Sequence, residues 1–237
     1  MMRLSPLVSC LFAVALCFTG TMARADFQVK QTVHIMQTIP DTLAFRKMPA
    51  NQRAMMEKQM VRAPYSITTH LHGHATRLDY GPYYELAKPG QASFLIVNAS
   101  TRTYLVQTFS YFRDNAGIQP IKVIVQRTSR TRTIMGHRCH DYHLSSRPGD
   151  PAAFTSDVWA ADDIPNTPGP MAEAVFNGVY LDPWASIKGL PLEVTAQIGT
   201  KKAGIVRLSI STTSVSSHSE PQAMFTAPKG YLKSQLN

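Results

Sequence analysis

Hydrophobic and polar positions along this chain alternate with a period of two over most of its length, the signature of half-buried β-strands. Residues 27–36 place Phe27, Val29, Val33 and Ile35 at odd positions. Residues 65–76 place Tyr65, Ile67, Thr69 and Leu71 on one face and Ser66, Thr68, His70 and His72 on the other. Runs 92–97 and 103–109 flank the turn-rich Asn98, Ser100 and Thr101, so they read as a hairpin. A strand is expected over 121–125, a second hairpin over 133–144 turning near Gly136, a strand over 155–160, and a third hairpin from 189–198 and 204–212. Two stretches change period. Residues 49–62 begin at Pro49, which suits a first helical turn, and carry Met56 and Met60 at a helical spacing that continues to Ala63 just beyond, with Met55 at the edge of the stripe. In 168–188, Met171, Val175 and Val179 lie four apart, beside Asn177 and Gly178 that can end a helix.

Hairpin after hairpin gives an antiparallel sheet, and one early and one late helix can cover one side of it. The expected fold class is therefore α+β, with a curled sheet and one or two covering helices. A sheet of about ten strands curls. A helix across its open side then encloses an apolar cavity, the default binding site of such a layout. The expected cavity residues are Met55, Met56 and Met60 on the first helix, with Phe94, Ile96 and Trp159 on strands.

The N-terminus changes the picture of where this happens. Arg3 precedes an apolar run over 7–18, and Ala23 and Ala25 supply the small-x-small pattern of a signal-peptidase site. The expectation is a secretion leader over 1–25, cut between Ala25 and Asp26, and a single β-rich domain over 26–237. The run is short of the ~20 apolar residues a membrane span needs. The chain is basic, with 24 Lys and Arg against 15 Asp and Glu. Removing Arg3 and Arg24 with the leader leaves 22 against 15, a net +7. The basic residues are dispersed and match no nucleic-acid motif. Solubility, or peripheral contact with an anionic membrane, accounts for the balance better than nucleic acid. Of three cysteines, Cys10 and Cys17 fall in the leader, so Cys139 alone remains and an intrachain disulfide is impossible.

Two clusters carry candidate chemistry. His70, His72 and His74 recur at period two, which on one strand presents three imidazoles to one side, a spacing compatible with zinc or copper. His137, Cys139, His140 and His143 form a second group that would join the first only if the two strands were neighbours. The plainer reading is a wet sheet face carrying polar residues. Cys139 beside His140 does not make a nucleophile pair, because adjacent strand residues point to opposite sides. No G-x-S-x-G, phosphate loop or H-E-x-x-H is present, and Asp162 with Asp163 is too isolated for paired-carboxylate hydrolysis. No cofactor and no enzymatic activity are expected.

Several segments in order also resemble an exported bacterial family, the one labelled domain of unknown function 4412, which is similar to the periplasmic LolA/LolB-like lipoprotein carriers. They are Ser93 to Val97 with Thr103 to Val106, the run from Ile134 through Gly136 and Cys139 to Tyr142, and Asp157, Trp159, Ile164 and Pro165. Gly189 to Val194 and Met224 to Tyr231 complete the series. The resemblance implies a half-barrel with a helical lid and no catalytic residues. It implies a periplasmic carrier-type module for a lipid or acyl chain, and a monomer is expected. An envelope protein-interaction or sensory domain, and a histidine-cluster metal binder, are the alternatives.

Overall fold

In the computed structural model, residues 26–38, 46–60, 63–73, 75–87, 93–108, 123–148, 153–166, 186–200 and 204–234 are described, 56–60 and Thr200 by backbone alone. The elements are β1 (Phe27–Gln37), α1 (Ala50–Met60), β2 (Tyr65–His72), β3 (Ala75–Tyr80), β4 (Tyr83–Ala87), β5 (Ser93–Asn98), β6 (Thr103–Thr108), β7 (Val123–Ile134), β8 (His137–Ser146), β9 (Phe154–Ala161), β10 (Leu190–Thr200), β11 (Gly204–Ser217) and a two-residue β12 (Leu232–Lys233). All twelve strands form one sheet in the order β12-β6-β5-β4-β3-β2-β1-β11-β10-β9-β8-β7. Two meanders, β2–β6 and β7–β11, are joined where β1 pairs antiparallel with both β2 and β11.

The expected hairpins form. The β7–β8 turn is Met135-Gly136, with φ of 50° and 85° at the two positions, as the type I′ turn between twisted strands requires. Three expectations are corrected. Residues 65–76 are not one strand: Gly73 takes φ 59° and turns the chain from β2 into β3. The Gly81-Pro82 turn then opens β4, which the periodicity does not single out. Strand β7 is a single element from Val123 to Ile134, with a bulge between Arg127 and Thr131 hiding its alternation. The helix α1 forms, but its apolar residues do not gather on one side. Arg53 stands three residues before Met56 and seven before Met60, on the face the methionines would occupy. The helical candidate 168–188 lies outside the described residues except for its end.

Strand β1 shows why one face is apolar. Phe27, Val29, Gln31 and Val33 are buried while Lys30 and His34 are exposed. Val33, Ile67, Leu78, Tyr142, Leu144, Phe154, Val158, Val194, Leu208 and Ile210 form the larger core, and Ile187 packs into it. A smaller core joins Phe27, Val29 and Leu71 to Cys139, Ala161, Leu190 and Leu192. Each of the Val, Leu, Ile and Phe side chains among them contributes roughly 1.5–3 kcal/mol when fully buried. The Phe27 ring lies 6.2 Å from the His137 ring. Their strands are four steps apart in the order, about 19 Å if the sheet were flat. The sheet is therefore strongly curled, toward the face that carries Phe27 and Val29.

Bulges make that curl. β11 carries an extra residue opposite Lys30 and Gln31, and β10 one between Pro191 and Glu193. Gln31 Nε2 donates to Pro191 O at 3.0 Å and to Thr212 Oγ1 at 3.2 Å, and Thr212 Oγ1 donates to Leu192 O. Two side chains thus supply the partners that carbonyls freed by a broken ladder need. Along β1 and β11 this buried polar pair separates the larger core from the smaller.

Candidate functional site

The curled face extends beyond the large core onto β4, β5 and β6. Strand register places Val29, Thr69, Leu78, Glu85, Ile96 and Leu105 side by side, one from each of β1 to β6. A neighbouring row runs Phe27, Leu71, Thr76, Ala87 and, across β5 and β6, Phe94 with Gln107. Phe94 and Ile96 therefore lie on one face, as the alternation of β5 requires. Phe94 is buried and Ile96 half-buried.

Glu85 is the unexpected member of this surface. It is 3% exposed, on an otherwise largely apolar face. Its Oε1 accepts the Tyr80 hydroxyl at 2.8 Å, while Oε2 has no hydrogen-bond partner among the described residues. Burial pushes its carboxyl up to about 7, against the opposing effect of the Tyr80 bond. Burial, with the Glu85 charge beside it, drives the Tyr80 phenol well above its ordinary range. Gln107, also 3% exposed, has an Nε2 without a hydrogen-bond partner among the described residues. Residue types alone do not flag Glu85: it stands between Tyr84 and Leu86 in a strand that periodicity left unread. The signal was a charged residue at the parity of the apolar row.

The other expected cavity residues are not gathered here. Met55 is 59% exposed on α1, and the side chains of Met56 and Met60 lie outside the described residues. Trp159 on β9 packs against the smaller core, away from Phe94 and Ile96 on β5. The Arg132 and Arg130 guanidinium carbons lie 4.2 and 5.1 Å from its ring centroid, and Arg132 pairs with Glu193.

The histidines form carboxylate pairs. His70 is buried, with Nδ1 2.7 Å from Glu220 and Nε2 3.1 Å from Asp79. His72 Nδ1 lies 2.8 Å from Asp26, whose carboxylate also accepts the Glu220 N–H, and its ring stacks on Phe225. His74 lies outside the described residues. In the second group, His137, His140 and His143 pair with Asp163, Asp162 and Asp157. β2 and β8 are not neighbours in the sheet. Among the described residues no set of three or more His, Cys, Asp or Glu side chains is arranged to hold a metal ion. Burial pushes the Cys139 thiol up to about 11, so it stays protonated at neutral pH.

What these contacts build is a clasp. The chain after β11 runs back over β2 and β3, with Glu220 and Phe225 buried and Arg77 donating to Met224 O. Residues 232–233 then pair with β6 at the sheet edge. Although burial opposes it, bonds to Asp79 and Glu220 hold His70 above its ordinary range. Burial likewise opposes the lowering of Asp26 and Asp79, which their donors bring about.

Among the described residues the fold defines a class: a large, open, curled antiparallel sheet with few helices. Among solved structures, the chain is similar to a LolA superfamily protein from Nitrosomonas europaea, at 10% identity over 86% of this chain and 90% of that one, with a TM-score of 0.34. It is also similar to a putative outer membrane lipoprotein-sorting protein domain from Vibrio parahaemolyticus, at 7% identity over 86% and 90%, with a TM-score of 0.35. No protein-family model and no curated protein matches the sequence, so the resemblance to the family labelled domain of unknown function 4412 has no counterpart there.

Proposed function

We propose that the protein is a non-enzymatic binding or carrier-type module of the periplasm that seats an apolar ligand, a lipid or acyl chain, against the curled face of its sheet. The observation that carries the reading is the surface of β1 to β6. It is largely apolar along its rows and continues past the main core onto Phe94, Ile96 and Leu105. Sheet faces of this kind bind by burying hydrocarbon, at roughly 25 cal/mol per Å² removed from water. Within the same reading, residues 1–25 are a leader removed before Asp26 and residues 26–237 form one domain. Cys139 is a buried strand thiol with no catalytic part.

The test is native mass spectrometry, with lipid extraction, of protein purified from the periplasm of an expressing Gram-negative cell. A co-purifying acyl lipid, displaced by added detergent, is the expected outcome. Protein that carries none, and binds no long-chain probe on titration, sinks the proposal.

A further inference from the structure

We propose that Glu85 and Gln107 form a polar subsite on the curled face that selects the head group of the bound molecule, and that this head is uncharged: an acyl ester or amide with a free hydroxyl. The inference rests on the carrier reading above and specifies its ligand.

Both side chains are buried to 3% exposure, and each has one polar atom, Glu85 Oε2 and Gln107 Nε2, without a partner among the described residues. A buried polar atom left unpaired forfeits the hydrogen bonds it had with water, so two of them on one face call for a group that pairs with them. Register puts them on the same face, Glu85 beside Ile96 and Leu105, and Gln107 beside Phe94. Two strand spacings and two residues separate them, roughly 12 Å between backbones. Long side chains from either end bring one small head group within reach of both. The surroundings set its charge. Apart from Glu85, the two rows that hold these residues contain no charged side chain. Among the described residues, these two rows offer a fatty-acid carboxylate no cation. A neutral Glu85 donates its own proton and the Gln107 amide donates N–H, two donors that match carbonyl and hydroxyl oxygens. Phe94, Ile96 and Leu105 lie between and beside them and offer hydrocarbon contact to the first carbons of the chain.

Isothermal titration at pH 6 with three probes of equal chain length, monooleoylglycerol, oleate and oleylamine, tests this. The expected result is at least tenfold tighter binding of the neutral ester than of either charged probe. Glu85→Leu and Gln107→Leu each reduce that preference about tenfold while leaving oleate affinity within about threefold, since one unmatched buried hydrogen bond is worth that much. Glu85→Gln keeps a neutral polar group of the same shape and retains the preference, which separates lost recognition from lost folding. Equal affinities for the three probes, or a preference that both Leu variants keep, overturn the subsite while leaving the carrier reading standing. Tightest binding of oleylamine overturns the neutral head and makes Glu85 a counter-ion. If none of the probes binds, the carrier reading itself fails and the subsite with it.

Discussion

Glu85 makes the chain sensitive to pH through one residue. Its carboxyl titrates near 7 in the folded protein because burial disfavours the charged form, and near 4.5 when exposed. Below about 4.5 both states hold the proton and the residue is neutral to stability. Between 4.5 and 7 the unfolded chain releases the proton and the folded one does not, so stability falls as pH rises, by an amount on the order of 3 kcal/mol in total. Above 7 the loss is complete and constant. Glu85→Gln removes this term. Thermal unfolding of the two proteins from pH 4 to 8.5 is expected to show a difference that opens through that window and then levels, with the variant several degrees more stable at pH 8. Parallel melting curves at every pH refute it. Gly189 is the opposite kind of residue, constrained by space. It takes φ 86°, and a Cβ there would stand 1.9 Å from the Ala161 carbonyl oxygen. Gly189→Ala is expected to cost about 3 kcal/mol, from backbone strain plus displacement of the β9–β10 ladder, measured by urea denaturation. A loss below about 0.5 kcal/mol contradicts the close approach.

Among the elements, the segment after β11 is held by a charge arrangement with a defined pH range. His70 gains two carboxylate partners on folding, which raises its affinity for a proton. Its contribution is fully present below its ordinary value of about 6.5 and fades as pH rises through the higher folded value. Asp26 and Asp79 work in the other sense, because their lowered values contribute above about 4 and fade on acidification. The clasp is therefore tightest between roughly pH 4 and 6.5. Exchange of the Glu220 amide, corrected for intrinsic rate, is expected to slow in that window and to quicken toward pH 9. His70→Asn is expected to flatten the alkaline limb. A wild-type profile flat from pH 6 to 9 disproves the role of His70.

The elements also show what the pattern of residues could and could not reveal. Hairpins β5–β6, β7–β8 and β10–β11 were legible because polar turns interrupt clean alternation, and Gly136 even marks its turn. The β2–β3 hairpin was not. His70, Leu71 and His72 continue the period of two into Gly73, and only a positive φ, invisible in a polarity pattern, reverses the chain there. That reversal also decides the histidines. The expected row of three imidazoles presumed a strand running through residue 74, and β2 ends at His72. The acidic partners of His70 come from Asp79 on the next strand and Glu220 some 150 residues later, a juxtaposition no local spacing encodes. Glu85 was missed for the same reason: its significance depends on its neighbours across β3 and β5, not on those beside it in the chain.

At the scale of the whole molecule, the question is what joins the two meanders into a single curved surface. The Gln31 and Thr212 pair sits where they meet, between the two cores, and answers both bulges at once. Gln31 spans from β1 to the Pro191 carbonyl on β10, and Thr212 on β11 holds the Leu192 carbonyl beside it. Removing one partner leaves buried groups of the other unpaired, so Gln31→Leu and Thr212→Val are each expected to cost about 1–3 kcal/mol. Removing both substitutes an apolar contact for the pair and recovers the mutual part of the loss. The double variant is therefore expected to fall short of the sum by about 1 kcal/mol or more, a coupling characteristic of directly bonded side chains. The curl should respond along with stability, because the carbonyls that these side chains satisfy are the ones the bulges release. In Gln31→Leu, the contact of Phe27 with His137 is expected to loosen, which a nuclear Overhauser effect between the two rings reads directly. Strict additivity together with an unchanged ring contact would show that the bulges hold the curve unaided, and that the polar pair merely occupies the space between two cores.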